Sequence, residues 1–118
     1  MQKYLFYGAY TPDGYKGLLA EGGKNRAEAV RMAAESMGGR LEHFYFSFGE
    51  NDFYVIVNLP DNVNATAFTL TGNVSDSFKM KTVTLLTPEE LDDALKIKVD
   101  YRMHGEPAQE RIHNYPLS

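Results

Sequence analysis

His43, Tyr45 and Tyr54 are the residues whose types and spacing point most directly to chemistry. His43 and Tyr45 stand two apart, so in a strand they share a face. An imidazole beside a phenol can move a proton, with His43 as general acid or base and Tyr45 orienting a ligand oxygen. The same His could also ligate a haem or a metal, and the same three side chains serve equally well as hydrogen-bonding tips of a packed interface. Lys24, Arg26 and Arg40 form a second set: an anion-binding rim at the start of a helix, or a solvated charged face offset by Glu28 and Glu35. Asp52 lies in turn chemistry, where a carboxylate usually accepts bonds from nearby backbone N–H groups and less often acts as an acid or base.

Other chemistries are excluded. The chain has no Cys, which removes disulfides, thiolate metal sites and cysteine nucleophiles. His104 and His113 are far from His43, and no His, Asp and Glu spacing matches a zinc or iron site, so no metal is expected. There is no nucleophile elbow, phosphate loop or dinucleotide fingerprint, and no cofactor is expected. The net charge is -4 over 118 residues, with no basic footprint for nucleic acid. The Lys/Arg-Gly signature of an RNA-recognition sheet is missing as well. No signal peptide or membrane span can be read, so the expectation is a cytoplasmic protein without a membrane partner. Two glycosylation sequons, at Asn64 and Asn73, have no role on that reading.

The elements that must position these residues follow from local pattern. Lys3 to Tyr10 is short, aromatic and β-prone, and both of its faces are apolar. Thr11-Pro12 is a helix start, leading to a short helical turn over Tyr15 to Leu19 that Gly22-Gly23 ends. Lys24 to Met37 is a longer helix whose buried stripe is Ala27, Val30, Ala34 and Met37. Arg40 to Phe48 and Asp52 to Leu59 form a hairpin. The next helix is capped by Asp61 or Asn62 and buries Val63, Ala67, Leu70 and Val74. Ser77 to Leu86 is a fourth strand. Thr87-Pro88-Glu89-Glu90 is a capping box that opens a helix to about Val99. The order is that of an α+β fold, ferredoxin-like βαββαβ with an extra C-terminal helix. Residues 1–100 form the domain, and 101–118 an extended C-terminal tail.

A four-residue hairpin turn predicts Phe48 opposite Phe53, Phe46 opposite Val55, Phe44 opposite Val57 and Glu42 opposite Leu59. One face then carries the Phe, Val and Leu side chains and packs on helices. The other carries Leu41, His43, Tyr45, Ser47, Tyr54, Ile56 and Asn58. Such a Tyr-rich face is poorly left to water, and a second copy laid sheet to sheet would cover it, giving a dimeric α/β barrel.

The run YLFYGAYTPDGYKGLLAEGG, the stretch MGGRLEHFYFSFGENDFYVIVNLPD and the segment LLTPEELDDALKIKVDYR resemble the GYD domain family over roughly residues 1–103. The most specific matches are Tyr10-Thr11 with Gly14 and Gly17, Gly38-Gly39, Phe44 to Gly49, and Leu86 to Glu90. Gly49 and Asp52 match the family's turn motif, but Asn51 stands where the family has Tyr, so a role for that ring does not carry over. The resemblance implies a ferredoxin-like dimeric barrel and imports no catalytic residues. Three functions remain open. The first is a homo-oligomer that binds a small apolar or aromatic molecule between sheets, with Tyr45, His43, Tyr54, Arg26 and Arg40 around it. The second is a cofactor-independent isomerase or monooxygenase using His43 and Tyr45. The third is an assembly or regulatory subunit whose aromatic face only holds copies together.

Overall fold

The computed structural model describes residues 1–47, 49–102 and 104–105. Its elements are β1 (Gln2–Tyr10), α1 (Pro12–Glu21), α2 (Gly23–Ser36), β2 (Arg40–Phe46), β3 (Phe53–Leu59), α3 (Asn62–Val74), β4 (Phe78–Leu85) and α4 (Pro88–Leu95). The strands form one antiparallel sheet in the order β2-β3-β1-β4. This is the ferredoxin-like α+β arrangement, with α4 added after β4. Contacts divide the chain after Leu85, and the sheet with α1, α2 and α3 lies in Met1–Leu85.

The caps act as their residue types predict. The Thr11 side chain accepts from the Gly14 N–H, and Gly22, at φ 85°, ends α1. Helix α1 is a full ten-residue helix and not a single turn. Asp61 caps α3 through the Asn64 N–H at 2.9 Å. Thr87 and Glu90 close the capping box of α4. That helix ends at Leu95, four residues short of the expected Val99. The Lys96 and Ile97 N–H groups fall back on Asp93 and Ala94, and the β-branched Ile97 and Val99 beyond favour extended backbone.

Sheet residues sort by face. Tyr4, Phe6, Phe53, Val55, Val57, Leu59 and Met80 are buried beneath the helices with Ala34 and Ala65. The two-faced ambiguity of β1 is resolved: Tyr4, Phe6 and Tyr10 turn to the helices, and Leu5 and Tyr7 to the open side. The expected hairpin faces hold, but the register differs. Phe46 pairs with Phe53 and Phe44 with Val55, a two-residue slip that keeps Phe44, Tyr45, Phe46, Phe53 and Tyr54 on their own faces. A bulge between Leu41 and His43 moves Leu41 to the helix side. Phe48, expected opposite Phe53, lies outside the described residues, as does nearly all of 101–118.

Helix α3 corrects the predicted stripe. Val63, Leu70 and Val74 point outward, 77%, 63% and 83% exposed. Phe68 decides the face, because its ring packs 4.7 Å from that of Phe6. Ala65 is buried and Gly72 sits where a Cβ would lie 3.1 Å from Phe78 and Met80, so the small residues face the sheet. Asn73 fixes the helix to the strand edge. Its side chain donates to the Met80 carbonyl at 2.9 Å and accepts from the Met80 N–H at 2.7 Å.

Gly14 is demanded by close approach: a Cβ there would lie 1.8 Å from the Ser77 carbonyl oxygen. The neighbouring Thr11 N–H donates to the same oxygen at 2.9 Å, so β1, α1 and the start of β4 meet at one point. Asn73→Ala should lower unfolding stability by about 2 kcal/mol, because it strips both Met80 backbone groups of their partner. Urea denaturation beside the exposed-site control Thr66→Ala measures this.

Candidate functional site

The open face of the sheet gathers three of the predicted residues. Tyr45 pairs with Tyr54, and Tyr54 with Tyr7, so three phenols cross the sheet in one row. Tyr7 and Tyr54 stack at 6.1 Å, and the Tyr54 hydroxyl accepts from the Asn51 side chain at 3.3 Å. The next row is His43, Ile56, Leu5 and Val83. His43 stacks on Tyr45 at 5.9 Å. Tyr45 is 60% exposed and His43 is also exposed.

The bulge places Glu42 on this face too, where it makes an ion pair with Lys3 across the β3 backbone. The Lys3 ammonium, hydrogen-bonded to Glu42, holds that carboxyl below its ordinary value, with Asn58 adding to the effect. Arg40 is exposed at the start of β2 and pairs with Asn58.

Arg26 lies on the other side of the sheet and is separated from Arg40 by most of α2, so no common anion rim forms. It lines a cavity of about 560 Å³ between the sheet and helices α2 and α3. The sheet floor is aromatic, with Phe6, Phe44, Phe53 and Phe78. The helices above it contribute Ala29, Ala33, Ala67 and Gly72. Large rings facing small residues leave space, and α2 and α3 do not pack along their lengths to close it. That pairing of Phe-rich strands with Ala- and Gly-bearing helices was the available sequence signal for the cavity.

Tyr10 and Arg26 supply polar groups on the cavity wall. Burial pushes the Tyr10 phenol up to about 12; the Arg26 charge opposes this, and the Asp52 and Glu21 carboxylates add to it. The Arg26 Nε is buried without a hydrogen-bond partner, and the Glu21 carboxylate stands 3.4 Å from it. A second hollow, of about 450 Å³ between α3 and β4, has Tyr4, Thr66, Thr69 and Thr82 hydroxyls in its lining that already have hydrogen-bond partners. Tyr4 donates to Asn62 at 2.6 Å, and Thr69 meets Thr82 at 2.5 Å.

Asp52 has a positional role. Its carboxylate accepts from the Tyr10 N–H at 2.9 Å and from the Tyr15 hydroxyl at 2.6 Å, and its own N–H donates to the Gly8 carbonyl at 2.7 Å. The hairpin turn is thereby tied to the end of β1 and to α1, which sets Tyr10 at the cavity. Among the described residues no three His, Asp or Glu side chains cluster as metal ligands, and no helix is long and apolar enough to cross a membrane.

The GYD domain model matches residues 4–95, well over half of the chain, and the protein belongs to that family. No curated protein and no solved structure matches the chain.

The Lys3–Glu42 pair generates a pH prediction. The folded carboxyl is depressed, so its contribution is fully present above the ordinary Glu value of about 4.3 and is lost as the pH falls through the folded value. Wild type should be more stable than Glu42→Gln at pH 7, and the difference should be smaller at pH 3. Thermal unfolding at both pH values measures it.

Proposed function

We propose that this GYD domain protein binds a small, largely apolar molecule between its helices and its sheet, and that two copies pair through the open Tyr-bearing face. The observation that carries the first part is the Phe-floored cavity of about 560 Å³, a volume within the usual range for small-molecule sites. The expected location was between two sheets. The Phe-floored cavity lies on the opposite face, so the binding role is assigned there, and His43, Tyr45 and Tyr54 are assigned to pairing. The exposure of Tyr45, Tyr54 and Val83 on this face supports that assignment. Phenols suit an interface because the ring packs dry while the hydroxyl finds a partner.

Two measurements test these roles. The chain has no Trp, so the fluorescence of neutral N-phenyl-1-naphthylamine can be read without indole background. One probe should bind per chain, and Val30→Phe, which fills the cavity from α2, should weaken it at least tenfold while leaving the unfolding temperature unchanged or higher. Equal binding by the variant contradicts the cavity reading. Sedimentation at micromolar concentration should give a dimer for wild type and a monomer for Tyr54→Lys, which places a charge in the centre of the Tyr row. A wild-type monomer contradicts the pairing.

A further inference from the structure

The cavity lining carries a single charged side chain. Arg26 is the one Arg, Lys, Asp or Glu among the described residues that line it; the rest are apolar, hydroxyl-bearing or Gly. The Nε of this guanidinium has no water contact and no hydrogen-bond partner. A buried, charged N–H left unsatisfied is costly and is normally paired. The nearest carboxylate does not complete it, since Glu21 Oε1 stands 3.4 Å away without forming a hydrogen bond and its side chain is 40% exposed to solvent. Glu21 therefore forms an ion pair that offsets some of the charge, on an Arg26 side chain that is itself 30% exposed, and leaves the Nε–H without a hydrogen bond.

We propose that the ligand of this cavity is an organic acid: an apolar body seated on the Phe floor, carrying one carboxylate that pairs with the Arg26 guanidinium. The inference rests on the binding role assigned to the cavity above and names the chemical class that the role selects. A planar guanidinium presents parallel N–H donors that match the two oxygens of a carboxylate, a fit that a neutral isostere cannot reproduce. Tyr10 lines the same cavity and feels the Arg26 charge. Its phenol stays protonated at neutral pH, so it adds a donor and no competing negative charge. The Ser36, Thr71, Ser75 and Ser77 residues of the lining are uncharged and offer the guanidinium no anionic partner. Both aromatic and aliphatic bodies satisfy this chemistry, and the test separates them.

Calorimetric titration of the full chain with two matched pairs decides it: 2-naphthoate against 2-naphthamide, and decanoate against decan-1-ol. In wild type at least one acid should bind tenfold or more tighter than its neutral partner, and the body that binds tighter identifies the aromatic or the aliphatic class. Arg26→Met keeps the apolar stem of the side chain and should abolish the preference while leaving the neutral partner's affinity within about threefold. Arg26→Lys keeps the charge without the fork and should retain part of the preference. Equal binding of acid and neutral partner by wild type overturns the organic-acid assignment and leaves the apolar binding role standing. A preference that survives unchanged in Arg26→Met overturns Arg26 as the seat. Failure of both acids and both neutral partners to bind wild type overturns the binding role itself.

Discussion

A sheet with helices on one side has two faces to satisfy, and here both faces carry rings. Tyr4, Phe6, Phe53 and Phe78 turn toward α2 and α3, while Tyr7, Tyr45 and Tyr54 turn away from them. The helices that should cover the first face bring mainly Ala, Gly, Ser and Thr to it. Atoms in a folded interior pack to near crystal density, so a mismatch of large against small must appear as space or be closed by helices moving together. Helix α3 is held from closing by the two bonds between Asn73 and Met80 and by the seat of Phe68 on Phe6. The cavity follows from that constraint, and so does the outward turn of Val63, Leu70 and Val74.

The cavity's polar end depends on a second set of ties. The Asp52 carboxylate binds the Tyr10 N–H and the Tyr15 hydroxyl, which joins the hairpin turn, the last residue of β1 and helix α1. Gly14 lets α1 approach the Ser77 carbonyl, and Thr11 bonds the same carbonyl from the backbone. These contacts fix where β1 ends and where α2 begins after Gly22, and hence where Tyr10 and Arg26 stand. Several positions that mark the family resemblance, among them Thr11, Gly14 and Asp52, are thus used to build one corner of the fold. Asn51, which replaces the family's usual Tyr, instead reaches the Tyr54 hydroxyl on the open face.

Much of this was legible in the sequence. Caps at Thr11, Asp61 and Thr87 have local chemistry and are read locally. The hairpin faces came out right although the register did not, because a slip of two residues preserves alternation. The bulge at Glu42 carries no strong local signal, so Leu41 was placed on the wrong face. The α3 stripe failed for a different reason. Val63, Leu70 and Val74 satisfy helical periodicity, but one Phe with small neighbours gains more from the sheet than three medium side chains do. His43, Tyr45 and Tyr54 do lie together, as strand alternation requires. Arg26 and Arg40 do not, since helix α2 and the sheet separate them. Tyr10 went unassigned because both faces of β1 are apolar, and only the pairing with β3 and β4 decides between them.

The central claim is that the space between the helices and the sheet is the binding site, and methionine methyl groups report on it directly. Met37 and Met80 line the cavity, whereas Met1 and Met32 are exposed and do not. With 13C-methyl methionine and a bound naphthalene-bodied probe, intermolecular nuclear Overhauser effects should connect the probe to Met37 and Met80 and not to Met1 or Met32. A bound probe that gives contacts to the Tyr7 and Tyr54 rings and none to Met37 or Met80 would contradict the account.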